Sequence, residues 1–130
     1  MLFSTKAHYA VVLLSALAKA DKSLSLRLVA KEHGLPYEYL EKIAQELKKG
    51  GFVVSSRGAS GGYSLAKKAQ HIKISDVVKE VEHVKSNIRN CTKQNVCDCR
   101  KASCDKKVAW NKVEKNVWES LSKVVLKDLI

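Results

Sequence analysis

The chain has 130 residues and a mass of 14.4 kDa, which suits one domain with a single moderate core and excludes a large multidomain enzyme. With 45% hydrophobic residues, 28% charged residues and one proline, the composition is typical of a globular, largely helical protein and not of a disordered one. The formal net charge of +11 favours a polyanionic partner, nucleic acid before an anionic membrane surface, over an acidic small-molecule substrate.

The positive charge is concentrated in the first half of the chain. Residues 1–75 carry 12 basic and 5 acidic side chains, while residues 76–130 carry 12 and 8. We therefore expect the polyanion-binding face in the first half. Because most single lysines serve only solubility, this expectation needs a supporting motif.

The apolar segment Ala7–Ala18 follows Lys6 and leads into an Ala-Lys-Ala sequence that is similar to a signal-peptide cleavage site. Its twelve residues are too few to cross a bilayer, which takes about 20, and one lysine is not a basic cluster. The segment places apolar residues on one helical face, at Tyr9, Ala10, Leu13, Leu14 and Leu17. We therefore predict a core helix from Ser4 to Lys19 and a cytoplasmic protein.

A second and a third helix follow, joined by a tight turn. Ser25 is a suitable N-cap for a helix over Leu26–His33, and Gly34 suits the left-handed position after it. Pro36 suits the first position of the third helix, which runs to Lys49. One apolar stripe marks the buried side of this helix, at Leu40, Ile43, Ala44 and Leu47.

A hairpin comes next. Gly50-Gly51 ends the third helix, Phe52–Ser56 has the composition of a short strand, and Tyr63–Leu65 alternates as a returning strand. The connection Arg57–Gly62 contains three glycines, which favour the positive φ angles of a turn. Helix, turn, helix and basic-tipped hairpin are the order of a winged helix-turn-helix.

The last third of the chain is expected to hold two more helices and a loop. Ser75 is a candidate cap for a helix through Val84. From Asp105 to Leu129 apolar residues recur at helical spacing, which predicts a helix of ~25 residues, too long to be buried within one small domain. A second copy of the chain is the simplest partner for it, so we predict a two-fold homodimer.

The predicted fold is mainly α with a small β-hairpin wing. It comprises a winged helix-turn-helix domain over residues 1–84, a cysteine-rich loop over residues 85–104 and a dimerisation helix over residues 105–130.

All four cysteines lie within fourteen residues as C-x5-C-x-C-x4-C, at Cys91, Cys97, Cys99 and Cys104. In a reduced cytosol this cluster favours metal or redox chemistry over structural disulfides. Thiolates are the working species, and the lysines and arginines around them offset their charge. We expect an iron–sulfur cluster, with zinc binding and reversible thiol oxidation as alternatives.

Three motifs resemble one known family. They are Thr5–Val11, Tyr39-Leu40-Glu41 and Arg57–Tyr63 (RGASGGY), and the cysteine cluster and a long last helix follow them in order. The chain thus resembles the Rrf-two (Rrf2) family of bacterial winged-helix regulators, which includes IscR-, NsrR-, RirA- and CymR-like members. The resemblance implies a homodimeric repressor or activator of transcription that binds palindromic double-stranded DNA, often under control of an iron–sulfur cluster.

The resemblance also implies DNA-binding residues. A recognition helix fits the major groove, and an arginine at a wing tip fits a narrow minor groove. The matching positions are Glu38, Glu41 and Lys42 on the third helix, with Arg57 and Ser60 in the wing. Glu41 is unusual, because a carboxylate near phosphates is unfavourable unless it accepts a hydrogen bond from cytosine N4.

The family pattern of cluster ligands has three cysteines and a variable fourth group. Cys91, Cys97 and Cys104 match in spacing, whereas Cys99 is additional. Lys107 occupies the position of the histidine ligand in IscR-like members, and His8 occupies the position of the carboxylate that NsrR-like members donate from the partner subunit's first helix. Either Cys99 or His8 could be the fourth ligand. The cluster could be of the [2Fe–2S] or the [4Fe–4S] type.

Three rival functions belong to other classes. An enzyme would need a base or nucleophile paired with the cysteines, and the sequence outside the loop shows no motif for one. We therefore expect no catalysis and no small-molecule substrate. A protein-interaction module would use the winged helix against another polypeptide, as CymR-like members pair with an enzyme, and low salt dependence of DNA binding would favour it. A secreted disulfide protein would need the signal peptide argued against above, and we expect no membrane partner.

Overall fold

The computed structural model of the chain describes residues 3–58, 61–83 and 105–130, the last range with side chains from residue 109 onward. Within these ranges helices predominate and one antiparallel hairpin is present, so the predicted mainly α fold with a small wing is confirmed. The elements are α1 (Thr5–Ala20), α2 (Leu26–His33), α3 (Tyr37–Lys49), β1 (Val53–Ser56), β2 (Gly62–Leu65), α4 (Ile74–Val81) and α5 (Asp105–Ser122).

The first helix, α1, is the centre of the core. Ser4 caps it by accepting a hydrogen bond from the Ala7 N–H at 3.3 Å, and Asp21 ends it in the left-handed conformation. α1 packs against α3, α4 and the hairpin. Its inner face is buried as the apolar spacing predicts, at Ala7, Ala10, Leu13, Leu14 and Leu17.

The turn between α2 and α3 forms where the sequence predicts it. Gly34 has a φ of 64°, and its N–H donates to the carbonyl of Ala30. Ser25 occupies the N-cap position of α2 but makes no side-chain capping bond. Pro36 is the N-cap of α3 and not its first helical residue, because its ψ of 118° is still extended and helical geometry begins at Tyr37.

The hairpin is the wing. Val53 pairs with Leu65 and Ser56 pairs with Gly62. Phe52 was predicted to begin the first strand, but its N–H donates instead to the carbonyl of Leu47 where the chain leaves α3. Its ring is buried in the core, so the strand begins one residue later.

The fourth helix is shorter than predicted. Ser75 was expected to cap it, but Lys73 is the N-cap and Ser75 is a buried residue of the first turn. The helix ends at Val81 and not at Val84, because Glu82 is the C-cap and His83 adopts a left-handed φ of 48°.

The last helix also ends early. α5 was predicted to continue to Leu129, but it ends at Ser122 after about 27 Å at 1.5 Å per residue. Beyond it the chain turns back, the Leu126 N–H donates to the carbonyl of Ile72 at 2.8 Å, and Leu126 is fully buried. A short 3-10 helix, Leu126–Leu129, completes the chain. Burial of Leu126 and its backbone bond outweigh the helical periodicity that the sequence shows there.

α5 presents two apolar faces. Trp118 and Leu121 pack against the core, and the Lys79 ammonium lies 4.9 Å from the centre of the Trp118 ring. The other face is exposed: Trp110 is 53%, Val113 is 48% and Val117 is 38% accessible. These three residues are called the α5 stripe below.

Candidate nucleic-acid interface

Two of the three predicted base-facing side chains on α3 lie on its outer surface. Glu38 and Lys42, one turn apart, are exposed on the side away from the buried stripe. Gln45 and Lys49 continue the same exposed row. The outer face of α3 therefore offers polar and charged side chains along its full length.

Glu41, the third predicted base-facing residue, is half-buried. Burial raises the pKa of the Tyr63 hydroxyl above its ordinary value, and the nearby Glu41 carboxylate and Tyr37 raise it further. The Glu41 carboxylate is therefore close enough to Tyr63 of β2 to interact with its hydroxyl electrostatically.

Arg57, the predicted wing arginine, lies where the hairpin turn begins. Arg57 directly follows β1 and is exposed. Gly58 has a φ of 112°, which a side chain would strain, and the Gly61 N–H donates to the Gly58 carbonyl across the turn. Ser60 lies outside the described residues.

Three sets of hydrogen bonds attach the wing to α3 and to the segment just before α2. Leu24, just before α2, exchanges two backbone hydrogen bonds of 2.8 Å with Tyr63 of β2. Lys48 of α3 donates to the Ser55 hydroxyl at 2.7 Å, and the Ser23 and Ser56 hydroxyls are 3.0 Å apart. The hairpin and the helix-turn-helix therefore form one connected surface.

Arg27 on α2 is a candidate that the sequence patterns do not single out. Its guanidinium carbon lies 4.7 Å from the centre of the Tyr37 ring, where α3 begins. The cation therefore lies over a ring on the other side of the turn, and Glu38 is the next residue after that ring. Apolar periodicity gives no indication of such a pair, since it joins two polar positions ten residues apart.

A second polar cluster joins α1, α3 and the end of α4. The Lys6 ammonium lies 2.8 Å from Oε1 and 2.7 Å from Oε2 of Glu46, and the geometry for a hydrogen bond is met at Oε1 only. His83 Nε2 lies 3.5 Å from the same Oε1. Ser4 bonds to the Glu82 carboxylate through its backbone N–H and its hydroxyl. The start of α1 is thereby connected to both α3 and the residues that follow α4.

Of the predicted metal ligands, the structure describes only His8. It lies on α1 with its side chain exposed, beside the ring of Tyr9. A cavity of about 190 Å³ opens next to it, lined by Phe3, Ser4, Ala7, Val11, Ile74 and Val78. Cys91, Cys97, Cys99 and Cys104 lie outside the described residues. Among the residues that are described, no group of three His, Cys, Asp or Glu side chains is placed to hold a metal ion.

Over the described ranges, no helix is both long enough and apolar enough to cross a membrane.

The chain is similar to known regulators over its whole length. It is 32% identical over 132 residues to the protein rrf2 of Nitratidesulfovibrio vulgaris, an alignment that covers 100% of this chain and 87% of that protein. Among solved structures it resembles T. potens IscR, with a TM-score of 0.77 and 31% identity over 99% of this chain and 85% of that one.

A second solved structure is equally similar. This is CymR, the global cysteine regulator of B. subtilis, with a TM-score of 0.78 and 28% identity over 99% of this chain and 95% of that one. The curated relatives IscR and CymR are named as transcriptional regulators and not as enzymes, in agreement with the expectation of no catalysis. The model of the Rrf2 family, described as iron-dependent transcriptional regulators, matches residues 3–130. The resemblance noted in the sequence is confirmed, and the chain belongs to the Rrf2 family of transcriptional regulators.

Proposed function

We propose that the protein is a cytoplasmic homodimeric regulator that binds a palindromic operator and whose operator affinity depends on an iron–sulfur cluster held by its cysteine segment. The observation that carries the DNA-binding part is the attachment of the Arg57 hairpin to the α2–α3 unit through Tyr63 and Lys48. A recognition helix and a wing that are fixed to each other can enter adjacent grooves together.

The charge of this surface supports DNA as the ligand. Arg27, Lys31, Lys42 and Arg57 are exposed on α2, α3 and the hairpin, and their positive charge suits phosphates. Glu38 and Lys42 are the base-facing candidates in the major groove, Arg57 and Ser60 the contacts of the wing. Glu41, half-buried and near Tyr63, is the third base-facing candidate in the same groove.

Salt titration tests the DNA-binding proposal. Each neutralised phosphate steepens the log–log dependence of affinity on salt by about 0.9, so a dimer with several contacts per subunit is expected to have a slope beyond about −4. The probe is a palindromic duplex selected from a random pool by the protein itself. Arg57→Ala is expected to weaken binding most on A·T-rich sites, with Lys127→Ala as a control for charge alone. A flat titration would contradict the proposal.

The second copy of the chain is proposed to cover the α5 stripe. Trp110, Val113 and Val117 are spaced by three and four residues, the spacing of a helix–helix seam, and each is more than a third exposed. A dimer also gives the two recognition helices that a palindrome requires. In this arrangement residues 1–84 bind DNA, residues 85–104 hold the cluster, and residues 105–130 serve dimerisation, with the end of the chain packed on the DNA-binding unit.

The donor set fits an iron–sulfur cluster. Four thiols within fourteen residues supply enough thiolates for either cluster type, and the basic residues around them offset the negative charge. Cys91, Cys97 and Cys104 are the proposed common ligands, and Cys99 or His8 is the fourth. When bound, the group supplies one-electron redox chemistry and sensitivity to iron supply.

The fourth ligand can be identified from single substitutions. If Cys99 is the ligand, Cys99→Ala is expected to bleach or shift the visible absorption spectrum while His8→Ala leaves it unchanged; if His8 is the ligand, the pattern is reversed. His33→Ala is a matched control, because His33 is an exposed histidine on a different helix. Unchanged spectra in both test variants would contradict the proposed set of ligands.

Likeness to CymR favours one alternative, a regulator without a cluster that is controlled through its thiols, a zinc ion or a protein partner. Anaerobic purification followed by absorption spectroscopy and by iron, sulfide and zinc analysis separates the cases. Stoichiometric iron and sulfide support the cluster, zinc alone supports the metal alternative, and the absence of all three supports thiol or partner control.

A further inference from the structure

The Arg27–Tyr37 pair joins the two helices of the helix-turn-helix at the end where α3 begins. Arg27 is exposed and carries its full positive charge next to the half-buried ring of Tyr37. In the described part of the chain, none of the ion pairs involves Arg27. A guanidinium bound over an aromatic face through its charge still has N–H donors with which to bind an anion.

Tyr37 is itself held by the core. Its ring packs on the core, and it is close enough to Tyr63 to influence that hydroxyl electrostatically. Tyr63 is bonded through its backbone to Leu24, two residues before α2 begins. The Tyr37 ring that Arg27 contacts therefore lies next to Tyr63, the residue whose backbone bonds fix the wing.

We propose that Arg27 contacts a backbone phosphate of bound DNA and that Tyr37 is the positioning residue that holds its guanidinium for this contact. The inference rests on the proposed DNA-binding function. The first helix of a helix-turn-helix crosses the DNA backbone while the start of the second reads the bases. Arg27 lies on the first of these helices, and Tyr37 and Glu38 lie at the start of the second. A planar guanidinium suits bidentate contact with a phosphate.

The experiment measures DNA affinity against salt for Arg27→Gln, Arg27→Lys and Tyr37→Leu, by fluorescence anisotropy with the selected duplex and with an unrelated duplex. Arg27→Gln is expected to lower affinity about tenfold or more on both duplexes. It is also expected to reduce the log–log salt slope by about 0.9 per subunit. Arg27→Lys is expected to keep the slope and lose part of the affinity, because lysine keeps the charge but not the planar fork. Lys127→Gln, on the C-terminal 3-10 helix, is the matched control and is expected to change the slope little.

A double-mutant cycle separates positioning from general structure. Tyr37→Leu is expected to weaken binding several-fold in the unsubstituted protein and to have little further effect when Arg27 is already glutamine. An equal effect of Tyr37→Leu in both backgrounds would make Tyr37 merely structural and overturn its part of the proposal. Circular dichroism and thermal unfolding of each variant verify that the fold is retained.

Two other outcomes would overturn the phosphate contact. One is an unchanged salt slope in Arg27→Gln. The other is a loss of affinity confined to the selected duplex, which would indicate that Arg27 reads a base. Either result leaves the proposed function intact as long as the unsubstituted protein binds DNA with a steep salt slope. If that protein binds no duplex, the proposed function and this inference both fail.

Discussion

Gly62 lies where the hairpin passes closest to the chain before α2. A Cβ atom at this position would overlap the Leu24 carbonyl group and lie 2.9 Å from the Ser25 nitrogen. All these atoms belong to the backbone, which cannot move aside without breaking the bonds between Leu24 and Tyr63. The second of the two adjacent glycines in the wing motif is thus required by a close approach of two chain segments.

Gly62→Ala is therefore expected to lower the free energy of unfolding by about 2 kcal/mol, as urea denaturation would measure it. It is also expected to weaken DNA binding, because the wing would no longer be fixed to the helices. Gly51→Ala is the control: Gly51 has a φ of 74° with open space around it, so it reports the cost of backbone strain alone, about 1 kcal/mol. A smaller loss at Gly62 than at Gly51 would contradict this account.

For single residues, the sequence predicts which side chains are exposed better than it predicts which side chains they contact. The exposure of Glu38, Lys42 and Arg57 follows from helical periodicity and from the glycine-rich turn. The half-burial of Glu41 and the position of Arg27 over the Tyr37 ring do not follow from these patterns. Each depends on a side chain from another element. Ser75 is a typical capping residue in composition, but packing of α4 against the core takes it into the first turn.

At the scale of elements, one ion pair joins α1 to the recognition helix. Lys6 and Glu46 are each about three-quarters buried, and no other described carboxylate lies within ion-pair distance of Lys6. A partly buried pair with good geometry is worth more than a surface pair, which salt and side-chain entropy weaken. The pair therefore helps to set the position of α3 against the core.

A double-mutant cycle with Lys6→Met and Glu46→Gln is expected to give a coupling free energy of about 1 kcal/mol in urea unfolding. The control is the exposed pair Lys115–Glu119 on α5, 3.7 Å apart, for which a coupling of about 0.3 kcal/mol is expected. Equal coupling free energies in the two pairs would mean that burial of the Lys6–Glu46 pair does not strengthen its interaction.

The other prediction at this scale concerns the α5 stripe. Val117→Asn is expected to shift the protein from dimer to monomer at micromolar concentration in analytical ultracentrifugation, because it places an amide in an apolar helix–helix contact. Lys115→Asn is the matched control, since it makes the same new residue on an exposed polar position of the same helix. A dimer that survives Val117→Asn unchanged would show that the stripe is not the interface.

The elements themselves were predictable where one local signal dominates. Glycine at the end of α2, the stripe of α3 and the turn glycines of the wing agree with the structure to within a residue or two. The ends of α4 and α5 were not predictable from local sequence, because they depend on tertiary contacts. The backbone pairing of Lys73 with Val125 and the burial of Leu126 stop the last helix seven residues before the periodicity does.

At the scale of the whole molecule, α1 connects the proposed sensing and DNA-binding regions. It carries His8 on its surface, bonds to Glu46 of α3 through Lys6, and bonds through Ser4 to Glu82, where the chain leaves α4 toward the cysteine segment. A change in that segment can therefore reach the recognition helix through contacts made by one helix. In a dimer, a small shift of this kind changes the spacing of the two recognition helices relative to successive major grooves.

Control of operator affinity by the cluster is the central claim, and one measurement tests it most directly. The affinity of the anaerobically purified protein for the selected duplex is measured at one fixed salt concentration, before and after removal of the cluster by a chelator. Cys91→Ala, which lacks a common ligand, is the control and is expected to match the cluster-free form. The account predicts a difference of about fivefold or more between the two forms. Equal affinity in both would contradict it.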